Sequence, residues 1–521
     1  MEEYSVDDPT QLLQAASDFA YFSGVQNDDS AKNFLDRFPL PVVINALQTK
    51  ADVPGLENTL VACLERIFQT KYGAYLIPQY MPFVQVGLKA DSQIVRCLAC
   101  KTVTYLLEHL NEETSAVQLI SDYDVYPLLL DCLVNGNEQV ATASMDAIKK
   151  LAGFPQGMEI IFPTNSKEET HLGELSTRCS SLGRVRVLAL MVKLFSVSSS
   201  VASIIYKLNL LRLFEEEINN TNDTLVTLNV LELLYELSEI QHGREFLSGN
   251  SLLQLLSSII SNKAMEPILR SRAMMISGRL LHDSYMFVDE SSTRTVIAAI
   301  DRILDSSETR DMDECESALE ALGQIGSSIQ GAQLLLSSSP PSARHIINAA
   351  FDRQGRGKQL AALHALGNIS GETHPENNMI LDNHSEENLR RLIFETASKT
   401  SKLTPSGLIL SLLQQASEIR LAGYRMITGL VARPWFLMEI CSKQEIINIV
   451  TDANTETTKI GMEARYNCCK AIQKALMSSS KVTSDASLAA IAEKVHKAVK
   501  MGPYLARKLE AQPVVMTAER F

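Results

Sequence analysis

The chain has 521 residues, of which 45% are hydrophobic and 21% are charged, and its formal net charge is −13. These proportions are typical of a folded globular protein. Because nucleic-acid binding needs clustered lysine and arginine, the acidic balance argues against a DNA or RNA partner.

A glycine recurs within a constant apolar frame at Gly73, Gly157, Gly243 and Gly331, with gaps of 84, 86 and 88 residues. Apolar residues stand six, nine and twelve positions before each glycine, and two more follow it. Steps of three keep such side chains on one helix face, and the glycine is expected to let the chain turn out of that helix. Half of each gap, roughly 42–44 residues, is the length of one HEAT or armadillo repeat. We therefore predict an all-α fold, a right-handed α-solenoid.

Weaker copies of the same pattern fill the intervals and extend it along the chain. In order, they cover residues 115–130, 201–214, 296–300, 363–369 and 424–430. Together they predict about ten or eleven HEAT/armadillo-like repeats, with atypical units at both ends to cap the stack.

The domain prediction follows from this repeat pattern, because the composition nowhere shifts enough to divide the chain. Residues 1–510 are predicted to form a single continuous solenoid. One spacing near its end is too long, and the surplus is assigned to a long polar loop at about residues 397–406. Residues 511–521 are predicted to be a flexible tail.

Motifs for catalysis, metal binding or nucleotide binding are weak throughout the sequence. Cys97 and Cys100 form a C-x-x-C pair, but no second pair follows, so two core cysteines are favoured over a redox or zinc site. The Gly355-Arg356-Gly357-Lys358 turn lacks the strand and the spacing of a phosphate loop. We predict no catalytic residue, no cofactor and no metal ligand, and we expect that the chain is not an enzyme.

The spacing of the cysteines and the lengths of the apolar runs indicate the cellular compartment. The nine cysteines are scattered, which fits reduced thiols in the cytoplasm or nucleus. No uncharged apolar run is long enough to span a bilayer, and Met1-Glu2-Glu3 does not begin a signal peptide, so we expect no membrane partner.

The candidate binding residues lie on the second helix of each repeat. Positions seven and eleven before each glycine are four apart, opposite part of the apolar stripe, and stacked repeats would align them along a concave groove. This ladder begins mixed, becomes acidic and ends near-neutral; its residues are Asp146, Lys150, Glu232, Glu236, Glu239, Glu320, Gln324, His364 and Asn368. The ladder is either an ordinary solvated helix face, with His364 exposed, or a groove for a partly basic protein surface.

Three short motifs give the chain a resemblance to a known family. They are the run Gln241–Leu247 (Gln-His-Gly-Arg-Glu-Phe-Leu), Pro434-Trp435, and Gly502-Pro503-Tyr504. With low similarity over most of its length, the chain resembles the 26S proteasome non-ATPase regulatory subunit 5 family of HEAT/armadillo-type assembly chaperones.

The resemblance implies a non-catalytic protein that binds the C-terminal small domain of a proteasome base ATPase subunit. Such a protein assists or controls assembly of the 19S regulatory particle. We also expect a monomer. No contact motif of the family can be placed on individual residues of this chain, so the predicted contacts remain those of the ladder.

A generic armadillo-type scaffold or adaptor is the alternative. Import adaptors read basic peptides through regular arrays of tryptophan and asparagine. Here the only tryptophan is Trp435, and Asn368 is the only asparagine at a ladder position, which argues against that class. A scaffold of another kind stays open.

Overall fold

Helices account for the regular structure, with no strand, in the part of the chain that the computed structural model describes. That part comprises residues 9–49, 53–109, 113–163, 171–220, 223–240, 242–243, 247, 252–282, 290–306, 311–371, 381–479 and 485–504. The chain forms two compact units, Met1–Phe246 and Leu247–Phe521. Whether residues 1–510 form one continuous stack stays a prediction, and the predicted tail at 511–521 lies outside the described residues.

The first unit contains sixteen described helices. They are α1 Pro9–Ala20, α2 Asp28–Arg37, α3 Leu40–Thr49, α4 Leu56–Phe68, α5 Lys71–Leu76, α6 Met81–Leu88, α7 Gln93–His109, α8 Glu113–Asp122, α9 Val125–Asn135, α10 Glu138–Leu151, α11 Pro155–Ile161, α12 His171–Arg178, α13 Ser181–Phe195, α14 Ser199–Lys207, α15 Arg212–Asn220 and α16 Thr224–Glu239, with a 3-10 turn at Ile77–Tyr80.

The second unit continues the same alternation with fourteen described helices. They are α17 Leu252–Ser261, α18 Pro267–His282, α19 Glu290–Asp305, α20 Met312–Ile325, α21 Ile329–Ser337, α22 Ala343–Phe351, α23 Arg356–Ile369, α24 Asn383–Ser398, α25 Pro405–Leu413, α26 Ser417–Leu430, α27 Pro434–Ser442, α28 Gln444–Thr451, α29 Lys459–Ser478 and α30 Ala486–Met501, with a 3-10 turn at Ala453–Thr455.

Helix α10 illustrates why the sequence forms the long helix of a repeat. It begins where the Asn137 side chain accepts a hydrogen bond from the Val140 amide at 3.0 Å, as a helix cap does. Val140, Ile148 and Leu151 then recur on one face and are fully buried. Each such side chain contributes about 1.5–3 kcal/mol through burial, so the stripe commits the helix to the core. The helix ends just before Pro155 begins α11.

The long helices of each unit pack side by side in chain order. In the first unit they are α4, α7, α10, α13 and α16; in the second they are α18, α20, α23, α26 and α29. The shorter helices pack behind them, so each repeat contacts the next through its long helix. This arrangement confirms the predicted all-α, HEAT/armadillo-like repeat fold.

The long polar loop predicted at residues 397–406 is wrong in its extent. Ala397 and Ser398 end α24, and Pro405 and Ser406 begin α25, so the connection covers only residues 399–404.

The recurrent glycines also play a different part from the one predicted. Gly73, Gly157 and Gly331 lie within the first turn of the following short helix, and no φ of the four frame glycines is positive. A Cβ at Gly157 would lie 2.0 Å from the carbonyl oxygen of Leu151. The residue must therefore be glycine because the new helix starts against the end of the old one.

A second close approach holds the long helices of the second unit together. A Cβ at Gly323 in α20 would lie 2.7 Å from the Cα and Cβ atoms of Ala365 in α23. A Cβ at Gly278 in α18 would lie 2.9 Å from the Cα of Ala321 in α20. Small residues therefore let these helix backbones come nearly into contact.

An arginine near the start of several long helices joins three segments at once. Arg270 of α18 donates to both carboxylate oxygens of Glu314 on α20 and to the carbonyl of Met265 five residues earlier. Arg184 and Arg420 repeat the arrangement, each donating to the carbonyl five residues before it and to a glutamate further along the chain. The Arg270 and Glu314 side chains are only 12% and 10% exposed.

We predict that Gly323→Ala lowers the free energy of unfolding by about 1–3 kcal/mol, because the new methyl group meets the Ala365 backbone. Urea unfolding followed by circular dichroism measures the change. The matched control is Gly423→Ala in α26, where the Cβ would lie 3.5 Å from its nearest neighbour and fits. That variant should gain about 0.5–1 kcal/mol from helix propensity. Equal behaviour of the two variants would contradict the close approach.

We predict that Arg270→Ala costs about 3–5 kcal/mol, because it leaves Glu314 buried without its cation. Replacing both partners, as Arg270→Met with Glu314→Leu, should restore most of the loss in the same urea assay. Arg302→Ala is the control, since that exposed side chain donates to a carbonyl of its own helix, and it should change stability by about 0.5 kcal/mol or less. A double variant as unstable as the single one would refute this explanation.

Candidate protein-interaction surface

Every predicted ladder residue lies on a long helix. Asp146 and Lys150 lie on α10, Glu320 and Gln324 on α20, and His364 on α23, as does Asn368; the three glutamates at 232, 236 and 239 lie on α16. We call the solvent-side surface formed by the long helices of one unit its ladder face. Because consecutive long helices touch, side chains at these positions can reach across to the next repeat.

In the first unit, lysines and acids pair across consecutive long helices. The Lys150 ammonium lies 2.9 Å from Glu108 on α7, and Lys193 on α13 lies 3.2 Å from Asp146. A third pair joins residues 101 and 65 at 2.8 Å. Asp146 and Lys150 are therefore engaged with neighbouring repeats. Both side chains are about half exposed, and such pairs contribute little stability, on the order of 0–1 kcal/mol.

The three predicted glutamates of α16 differ in exposure. Glu232 is half-buried, whereas Glu236 and Glu239 are exposed. All three lie at the end of the first unit's ladder face, which the sequence predicts to be acidic. A surface of this kind favours approach of a basic partner.

In the second unit, Glu320 and Gln324 stand at the junction of α18 and α20. Glu320 is exposed overall, yet loss of hydration on its covered side raises the pKa of its carboxyl; Arg279 opposes that rise and Glu316 adds to it. Gln324 is half-buried, and its amide oxygen has no hydrogen-bond partner among the described residues. Its backbone carbonyl accepts a hydrogen bond from the Ser327 hydroxyl at 2.7 Å.

The remaining two predicted residues are bound to neighbouring repeats. The Asn368 amide donates to the carbonyl of Gly323 on α20 at 3.2 Å. Arg425 on α26 donates to His364 Nδ1 at 3.0 Å. The expectation that His364 is an exposed surface residue is therefore wrong, because it is half-buried between helices.

The last two long helices form a groove that the sequence analysis missed. Its volume is about 990 Å³, and it is lined on the α26 side by Arg425 and Thr428 and on the α29 side by residues that include Lys470 and Lys474. The predicted ladder residues end at Asn368 on α23, so the lysines of α29 lie beyond them. The glycine frame could not reveal this, because no frame glycine follows α29; the i, i+4 lysine pair on a long helix was the available signal.

One cluster has the residue types of a metal site. Ligand atoms of Asp301, Asp305 and His345 lie within 4.8 Å of one another. However, Arg344 donates to both carboxylates, at 2.9 and 3.1 Å to Asp301 and 2.7 Å to Asp305. Burial would raise the pKa of Asp301, but His345, whose Nε2 lies 3.3 Å from the Asp301 carboxylate, and the hydrogen bonds from Arg344 outweigh burial and hold that pKa well below its usual range. The arrangement is that of an ion-pair network between α19 and α22.

The C-x-x-C pair is divided between two environments. Cys97 is half-buried, whereas Cys100 is fully buried. The neighbouring Cys100 and Arg96, whose guanidinium donates to Cys132 Sγ at 3.4 Å, lower the pKa of the Cys132 thiol on α9 against the effect of burial. No described helix is long and apolar enough to cross a bilayer.

The motifs that carry the resemblance serve contacts between helices. His242 Nε2 lies 2.8 Å from the Phe195 carbonyl, and its ring stacks on that of Phe195; the rest of the Gln241–Leu247 run lies largely outside the described residues. Trp435 packs against Phe394, with ring centroids 6.0 Å apart. The Tyr504 hydroxyl donates to Glu463 at 2.5 Å.

The sequence profile of the family described as proteasome non-ATPase 26S subunit matches residues 48–519. The chain belongs to this family. It is 20% identical to the 26S proteasome non-ATPase regulatory subunit 5 of Bos taurus over 419 residues, which cover 79% of each chain, and 20% identical to that of Homo sapiens over 418 residues, with the same coverage. Among solved structures, Kap121p is similar with a TM-score of 0.47 and 13% identity, over 96% of this chain and 54% of that one.

We predict that Lys150→Ala lowers the free energy of unfolding by less than about 1 kcal/mol, because its ion pair with Glu108 is half-exposed. A double-mutant cycle with Glu108→Ala, measured by urea unfolding, isolates the pair's coupling energy. A coupling well above 1 kcal/mol would show that the ladder is a stabilising network.

Proposed function

We propose that this protein is a non-catalytic chaperone that binds the C-terminal small domain of one proteasome base ATPase subunit and controls assembly of the 19S regulatory particle. The observation that carries the proposal is the family match over residues 48–519. That span includes every long helix from α4 to α29. What the chain has in common with its family is therefore the stack of repeats.

The physical properties of such a stack suit it to holding a folded domain. Each unit presents a ladder face whose long helices are fixed by close packing, so little conformational entropy is lost when a partner binds. An interface with an ATPase small domain would bury roughly 1,600 Å² in total if it is of ordinary size. The long helices supply a rigid surface for such an area.

The acidic end of the first unit is the part of the predicted site best placed to meet a partner. Glu236 and Glu239 are exposed there, beside the half-buried Glu232. Among the other predicted residues, Asp146 and Lys150 carry opposite charges, and His364 and Asn368 are half-buried. We therefore place the primary contact on α16, facing a basic surface of the ATPase domain.

The proposal also covers the oligomeric state of the protein and its location in the cell. The protein acts as a monomer in the cytoplasm and nucleus, and it leaves the ATPase before or as the complete particle forms. Its nine cysteines are free in the structure, which is compatible with a reducing compartment.

The decisive experiment is a pull-down in which the purified chain is offered each proteasome ATPase subunit separately, then the isolated small domain of any subunit that binds, then the complete 26S particle. We expect capture of one ATPase through its small domain and no capture of the complete particle. Binding to the complete particle alone would refute the chaperone role. Binding to none of these would leave the generic scaffold as the better account.

Charge reversal tests where the ATPase binds. The variant Glu232→Lys with Glu236→Lys should weaken capture by roughly tenfold or more, because it inverts the charge of the proposed contact. The matched control is Asp122→Lys with Glu159→Lys, which makes the same change in net charge on exposed residues of the short helices α8 and α11. Equal losses in both variants would mean that overall charge acts, and no loss would remove α16 from the interface.

A further inference from the structure

The groove between α26 and α29 differs chemically from the rest of the ladder. Its described lining includes three cationic side chains, Arg425, Lys470 and Lys474, and one carboxylate, that of Glu463. The carboxylate already accepts a hydrogen bond from the Tyr504 hydroxyl. A net positive groove is unexpected on a chain whose formal charge is −13.

The two lysines of this groove, Lys470 and Lys474, lack the acidic partners that lysines have elsewhere on the long helices. In the first unit, the ladder lysines at 101, 150 and 193 each face an acid on the preceding long helix. Here the preceding helix α26 presents Arg425 and Thr428 instead. Lys470 and Lys474 are exposed and make no ion pair with any described residue, although the Lys470 ammonium lies 5.8 Å from the centre of the Tyr466 ring.

Two large apolar side chains near opposite ends of α29 both border the groove. Ile460 is 68% exposed and Met477 is 81% exposed, and both line the groove. Ala464 and Ala471 lie between them along the helix, and their small side chains leave space in the groove. Seventeen helical positions separate the two ends, which corresponds to roughly 25 Å along α29.

We propose that this groove binds an acidic peptide segment of a partner protein, with apolar side chains at its two ends on Ile460 and Met477 and carboxylates between them on Lys470 and Lys474. An extended segment of about eight residues spans the distance. The volume of about 990 Å³ is that of a site for a short peptide rather than for a folded domain. This site is separate from the acidic contact on α16 and has the opposite charge preference.

Charge complementarity selects this occupant. Lys470 and Lys474 are exposed and form no ion pair with a described residue, so bound carboxylates gain favourable interactions with both ammonium groups. The exposed apolar ends require a ligand that also buries hydrocarbon, which a peptide does and a nucleic-acid backbone does not. The overall acidity of the chain further disfavours a polyanion longer than the groove.

A random dodecapeptide library displayed on phage, panned against the full chain, tests the proposal. We expect the enriched peptides to be acidic, with apolar residues flanking the carboxylates. A synthetic peptide of the enriched sequence should then bind in a fluorescence-anisotropy titration, and its affinity should fall as salt is raised.

Three variants make the test specific. Lys470→Glu with Lys474→Glu should weaken the peptide by roughly tenfold or more, and Ile460→Gln with Met477→Gln should weaken it while leaving its salt dependence in place. The control, Lys32→Glu with Lys149→Glu, makes the same charge change at exposed lysines of α2 and α10 and should bind normally. Circular dichroism confirms that each variant is folded.

Any of four results would overturn the proposal. They are enrichment without an acidic bias, failure to enrich any peptide, equal binding by the Lys470/Lys474 variant and the wild type, and tighter binding of a single-stranded oligonucleotide of equal charge. The ATPase pull-down is unaffected by these outcomes, because it depends on α16.

Discussion

The structure depends on the close side-by-side packing of one long helix per repeat. In the second unit this packing brings the backbone of α20 against that of α23, at Gly323 and Ala365, with no room for an additional methyl group. A close fit of this kind fixes the distance and the register between repeats. The short helices and turns can then vary in length, as α24 does, without disturbing the shared surface.

The same packing decides what the polar residues of the long helices can do. When two helices touch, the side chains beside the apolar stripe meet those of the neighbouring repeat before they meet solvent. Buried arginine–glutamate pairs such as Arg270–Glu314 lie at the starts of the helices, and half-exposed lysine–acid pairs such as Lys150–Glu108 lie nearer their ends. These pairs neutralise part of the charge on the long helices within the fold.

Two surfaces on the long helices are candidates for binding. The exposed glutamates of α16 form one, and the cationic groove between α26 and α29 forms the other. Because their charges are opposite in sign, each surface favours a different kind of partner.

The sequence by itself determined the helical class, the repeat length and the family, because the apolar period of a helix and the spacing of repeats are written locally along the chain. It also located the acidic positions of α16. Only the tertiary structure decided that Asp146, Lys150, His364 and Asn368 contact neighbouring repeats, and that a cationic groove lies between α26 and α29. The same holds for the frame glycines, which allow a close approach rather than a left-handed turn. The physical reason is that the partner of each of these groups belongs to another helix, and a linear pattern carries no information about which side chain will lie opposite.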